Sequence, residues 1–215
     1  MIEHTADAQL ESGEIAQRHA ENNKRDPTGP AAIVRFNPVA LPLPDKPGSV
    51  VWQRGEVTVT AIGARHIAGS LAYRVDTPAG SVVIGGDAGN SKPGPPRESS
   101  TSEAVEALAA GADVIVHSVI HPVFSPGQGS KFPPPVYYRQ SNAADLGAMA
   151  QRVGASHLVM THLIPALDSP SHGPFAIPEG PLNDDDFESA AIDAGYTGTV
   201  HVGRDLLSLR LPLKE

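Results

Sequence analysis

The sequence predicts an α/β domain, and three observations carry that prediction. Four short apolar or alternating runs follow one another closely: Val50 to Gln53, Val57 to Ile62, Leu71 to Asp76 and Ser81 to Ile84. Gly55, Gly69 and Pro78-Ala79-Gly80 punctuate them, as in an antiparallel meander. Helical and strand patterns then alternate toward the C-terminus. Residues able to hold a metal stand just past the apolar runs, and strand ends are where α/β folds place their chemistry.

The elements follow in order. Residues 5–22 read as a weakly amphipathic helix with Leu10, Ile15 and Ala16 as its few apolar positions. Residues 22–30 are a loop, Ala31 to Phe36 a short strand, and the prolines of residues 41–48 a second loop. After the meander, Ser100-Thr101-Ser102-Glu103 opens a helix as a capping box. Val105, Leu108 and Ala109 share one face of it, and Gly111 ends it. Ala112 to His117 is an apolar strand with a polar end. Residues 121–138 form a proline-rich loop whose Phe124, Phe132, Tyr137 and Tyr138 predict a packed flap. Ser141 or Asn142 caps a helix to about Val153, with Leu146, Met149 and Ala150 inward. His157 to Thr161 is a buried strand. Asp184 to Ala194 is a helix whose acidic start suits its dipole. Val200 to Val202 and Leu206 to Leu211 read as closing strands. The division expected is residues 1–48, a helix with proline-rich loops, and residues 49–215, the α/β portion.

Composition narrows the function. The 215 residues suffice for one domain with a real core. There is no cysteine, so disulfides, thiolate metal sites and a cysteine nucleophile are excluded. A metal here would be held by His, Asp or Glu. The net charge of −8, with 16 Lys and Arg, disfavours general nucleic-acid binding. No run approaches the ~20 apolar residues of a membrane span. The opening Met1-Ile2-Glu3-His4 lacks the pattern of an export signal. The expectation is a soluble, cytoplasmic chain with no membrane partner.

Three residues stand out. His66 follows the run Val57 to Ile62, Asp87 follows Val82-Val83-Ile84-Gly85-Gly86, and His162 follows His157 to Thr161. Each has an ordinary reading: a loop histidine, an Asx-turn, a histidine bonded to a neighbouring loop. Each also suits metal chemistry. An imidazole at a strand mouth suits zinc or iron, and a carboxylate can give one oxygen to each of two cations. Asp168 and His172 follow in a proline-rich loop, and His157 and His201 read as structural.

The order His66, Gly86-Asp87-Ala88, Thr161-His162, with the strand Leu71-Ala72-Tyr73-Arg74 after His66 and the helix start Ser141-Asn142-Ala143-Ala144-Asp145-Leu146, resembles the second half of a metallo-β-lactamase-fold hydrolase. The likeness is to the ribonuclease Z and arylsulfatase-like branch and covers roughly Val50 to Leu211. It implies a partial αββα sandwich without the ligand-bearing N-terminal half, with residues 1–48 inserted between the halves. It also implies one or two zinc ions, with manganese or iron as alternatives. His66 and Asp87 would hold one metal, Asp87 and His162 the other, and Asp87 and His117 would be catalytic. The reaction implied is attack of activated water on a small-molecule or phosphodiester, ester or amide substrate.

The chain departs from that pattern. The His-x-His-x-Asp-His cluster of the first half has no counterpart, since His4 and His19 lack the spacing. Ser118 stands where ribonuclease Z has an acidic residue after the His117 position, Gln140 where it has a catalytic histidine, and Ala88 where it has threonine. Glutamine cannot serve as a general acid. The expectation is a truncated chain, an enzyme if the full ligand set is supplied. Half a sandwich would expose a sheet face and an edge and so favour a homodimer. The alternatives are a degenerate, non-catalytic binding or dimerisation module and an unrelated α/β small-molecule-binding domain. No Gly-x-Gly-x-x-Gly or phosphate loop supports the last.

Overall fold

The computed structural model describes residues 49–92, 94 and 99–212. The helix expected at residues 5–22, the strand at Ala31 to Phe36, the loops around them, and His4 and His19 lie outside the described residues.

The alternation in the sequence becomes one mixed sheet. Strands β1 (Ser49–Arg54), β2 (Val57–Gly63), β3 (Leu71–Thr77) and β4 (Gly80–Gly86) form the antiparallel meander. Helix α1 (Glu103–Leu108) then crosses to β5 (Val114–Ile120), which pairs parallel with β4. Helices α2 (Pro134–Tyr137) and α3 (Ala143–Val153) lead to β6 (His157–Ile164), parallel to β5. A small hairpin of β7 (Ser171–His172) and β8 (Phe175–Ala176) precedes α4 (Asp184–Asp193) and β9 (Thr199–Val202), parallel to β6. The spatial order is β1-β2-β3-β4-β5-β6-β9. No described helix is long and apolar enough to cross a membrane.

Period-two alternation sorts the side chains. Val83, Ile115, Leu158 and Val200 are aligned across four strands and join the core on the helical side of the sheet. Leu146 and Met149 of α3 and Phe187 of α4 complete that core. The other face is apolar too: Ile84, Val116 and Val159 are aligned in one row. There Ile84 is 43% exposed, and Trp52 at the β1 edge 49%.

Local signals set the helix ends. The Asn142 side chain accepts from the Asp145 amide at 2.8 Å, and Gly154 closes α3 in the left-handed region at φ 75°. Asn183 and Asp186 form a reciprocal capping box on α4. The two helices meet at Gly147, where a Cβ would lie 2.6 Å from the Ala191 carbonyl oxygen. Only glycine permits that approach.

Three expectations change. Leu206 to Leu211 is not a strand: Leu206 has φ 69° and is 99% exposed, so the chain leaves the sheet after the Gly203 amide donates to the Met160 carbonyl. Strand β5 continues three residues past His117, and β6 two residues past His162. The apolar residues Val119, Ile120, Leu163 and Ile164 continue both ladders beyond the polar positions. The flap holds helical turns, Pro122–Phe124 and α2, and buries Phe124, Phe132 and Tyr137.

Candidate metal centre

Two irregularities flank β5 and shape the site. On β4, Ile84 pairs with Val116 and Gly86 with His117, so Gly85 is the extra residue. On β6, Thr161 pairs with Ser118 and Leu163 with Val119, so His162 is the extra residue. His162 has φ 46°, a left-handed conformation costly for a residue with a Cβ. Bulges of this kind re-aim side chains next to active sites. Here one bulge ends two residues before Asp87, and the other carries His162.

The three sequence-selected residues come together. His66 Nε2 lies 3.8 Å from Asp87 Oδ2, and His162 Nδ1 lies 3.4 Å from Asp87 Oδ1. Each carboxylate oxygen therefore faces a different imidazole. The side chains are 21%, 35% and 60% exposed for His66, Asp87 and His162, so the site opens to solvent on the His162 side.

Neighbouring elements hold the Asp87 turn. The Gly89 amide donates to the Arg65 carbonyl at 2.9 Å, joining the turn to the loop that carries His66. The buried Ser141 hydroxyl donates to the Ala88 carbonyl at 2.7 Å, joining it to the start of α3. The Arg65 guanidinium donates to the Ser91 carbonyl.

His117 lies behind this turn, 1% exposed. Its Nδ1 is 2.7 Å from the Ser118 carbonyl oxygen, which makes Nδ1 the protonated nitrogen. Burial holds the imidazole below its ordinary pKa, offset in part by the Ser118 carbonyl and the Asp87 charge. It is therefore a neutral ring. A Cβ on Gly85 would lie 2.1 Å from His117 Cδ2, so glycine is what lets the ring fit. Four buried polar atoms of the site region lack a partner among the described residues: His66 Nδ1, His117 Nε2, Ser118 Oγ and Gln140 Oε1. The last two belong to the residues that depart from the ribonuclease Z pattern.

The other candidates lie elsewhere. His172 packs against the rings of Phe124 and Phe132 at 6.1 and 5.9 Å. His157 Nδ1 and His201 Nε2 are hydrogen-bonded at 3.0 Å across β6 and β9. The Asp168 amide donates to the Leu182 carbonyl.

The donor set suits a divalent cation of the zinc, manganese or iron type. In a tetrahedral site with bonds of 2.0–2.1 Å, neighbouring donors lie about 3.3 Å apart. The two imidazole–carboxylate gaps are near that edge length and too long for hydrogen bonds. The two contacts share Asp87, one through each carboxylate oxygen. Among the described residues, no group of three or more His, Asp or Glu converges on one point.

A cavity of about 510 Å³ adjoins His66. Arg65, Asn90, Pro134, Tyr138 and Arg139 line it. No sequence pattern marks Arg65 or Arg139 as site residues; the adjacency of Arg65 to His66 is the one signal the sequence offers. A second cavity, about 630 Å³, has His162, Val116, Val159 and Leu209 on its walls.

No family model matches the chain. A protein named putative ribonuclease Z from Mycobacterium tuberculosis (strain CDC 1551 / Oshkosh) is 26% identical over 157 residues, covering 72% of this chain and 59% of that protein. Ribonuclease Z of Mycobacterium avium (strain 104) is 29% identical over 132 residues, 60% of this chain and 43% of that protein. The chain thus spans about half the length of the curated relatives it matches. Among solved structures, the metallo-β-lactamase fold protein YhfI from Bacillus subtilis superposes with a TM-score of 0.51 at 18% identity, covering 77% of this chain and 52% of that one.

Proposed function

We propose that this chain, a metallo-β-lactamase-fold protein of the ribonuclease Z-like branch, carries the Asp87 half of a metal-dependent hydrolytic site. The observation that supports this best is the pair of contacts at Asp87: Oδ2 faces His66 and Oδ1 faces His162. His66 and Asp87 would hold one cation, Asp87 and His162 a second, with zinc as the first choice. A cation bound there would acidify a water toward neutrality and polarise the substrate's oxygen.

This chain's own residues do the rest. The Arg65 carbonyl and the Ser141 hydroxyl fix the Asp87 turn, so both carboxylate oxygens are aimed before any cation arrives. The His162 bulge turns its imidazole toward Oδ1. His117 is the neutral imidazole behind the turn, and its unpartnered Nε2 is the atom available to hold a proton. Neither Ser118 nor Gln140 can supply an acid at neutral pH.

Metal analysis tests the reading. The purified chain, dialysed against zinc, should retain metal, and Asp87→Ala should remove more of it than His66→Ala or His162→Ala alone, because Asp87 serves both edges. Equal retention by all four proteins would sink the assignment.

A second reading is a non-catalytic member of the same fold. It is favoured by the buried Ser118 Oγ and Gln140 Oε1, which have no partner among the described residues, and by the two-ligand edges. Metal retention without turnover of ester or phosphodiester substrates would select it.

A further inference from the structure

We propose that the cavity beside His66 binds a small molecule that joins a planar ring to an oxyanion, and that Arg139 is its specificity-determining cation. The proposal rests on the preceding reading only for placing the molecule's reactive end at the His66–Asp87 edge.

The cavity's floor is apolar and rigid. Pro134 and Pro135 open α2, and Tyr138 follows it. The Tyr138 ring stands edge-on to the buried Tyr137, with centroids 5.6 Å apart, which fixes its plane. A flat ring of this kind suits stacking. The walls are cationic. Arg65 is anchored on the Ser91 carbonyl. Arg139 is exposed, and its guanidinium has no partner among the described residues. No carboxylate stands among the described lining residues, although the chain as a whole carries −8. A concave surface with two guanidinium groups and an aromatic floor is complementary to a ring-bearing anion.

Size and charge select the class. The volume of about 510 Å³ is that of a small-molecule site. A polynucleotide would extend beyond the cavity, and the chain's net charge of −8 disfavours its binding.

The test is titration calorimetry on the full 215-residue chain in EDTA, with 4-nitrobenzoate, its uncharged isostere 4-nitrobenzamide, and a single-stranded oligonucleotide. 4-Nitrobenzoate should bind more tightly than the amide. Arg139→Gln should weaken the benzoate about tenfold and leave the amide unchanged, while Tyr138→Ala should weaken both. Arg139→Lys, which keeps the charge but not the fork, should fall between wild type and Arg139→Gln. Equal binding of the two ring compounds, or benzoate binding indifferent to Arg139→Gln, would overturn the proposal. So would an oligonucleotide that displaces the benzoate and binds more tightly. With metal removed, a failed metal assignment at His66 and Asp87 would leave these results readable, so the two failures are distinguishable.

Discussion

His162 stands 3.4 Å from Asp87 because each residue rides on, or just beyond, a bulge beside the same central strand. A regular ladder would leave His162 in step with its neighbours on β6. The extra residue breaks that register and turns the imidazole to the carboxylate, at the cost of a left-handed backbone.

That cost is measurable. His162→Asn should fold almost as stably as the parent, because asparagine tolerates the left-handed region. His162→Val should lose about 1–2 kcal/mol, since a β-branched residue does not. Urea denaturation of the two variants checks this, and equal stability would show that the bulge relaxes.

The Gly85–His117 contact predicts a coupled pair. Gly85→Ala places a methyl against the His117 ring and should destabilise by about 1–3 kcal/mol. In a His117→Ala background the same change should cost much less. A double-mutant cycle reads the coupling, and strict additivity would refute the contact.

Helices α3 and α4 make a parallel case. Gly147→Ala meets the Ala191 backbone and side chain, which cannot swing aside as a long side chain would. The loss should be about 1–3 kcal/mol, seen as a lower thermal midpoint with unchanged helical circular dichroism at 20 °C.

His121 predicts an acid sensitivity. Its Nδ1 accepts from the Val123 amide, and its Nε2 donates to the Asp186 carbonyl, an arrangement that requires the neutral ring. The ring also packs edge-on against Phe187. Burial holds its pKa below the ordinary 6.5, against a smaller opposing pull from Asp186. The unfolded chain therefore takes up the proton first as pH falls. His121's contribution is complete above pH ~6.5 and declines as pH drops toward the depressed folded value. His117 and His201 act with the same sign, so the comparison must be between proteins. His121→Gln should lower the midpoint at pH 7.5 but narrow the gap between pH 7.5 and 5.5. An unchanged gap would contradict the assignment.

The sequence by itself did not declare α2 or the β7–β8 hairpin, but it determined the order of the other elements from Val50 to Val202 and singled out His66, Asp87 and His162. Those features are local. Period-two runs mark β2, β3 and β4, Asn142 and Gly154 bound α3, and Asp184 to Asp186 open α4 through short-range hydrogen bonds and the helix dipole. Where a strand ends is less local. Val119, Ile120, Leu163 and Ile164 extend β5 and β6 because they pair with each other, which neither segment declares alone. Leu206 to Leu211 has a strand's composition but no strand's partner. Only the tertiary structure decided that Asp87 turns one oxygen to His66 and the other to His162, that His117 lies buried behind Gly85, and that Arg65 and Arg139 share a cavity. The physical reason is the same in each case. Bulges, close backbone approaches and cavity walls arise from register between segments tens of residues apart, and the residue types at those positions are compatible with many other registers.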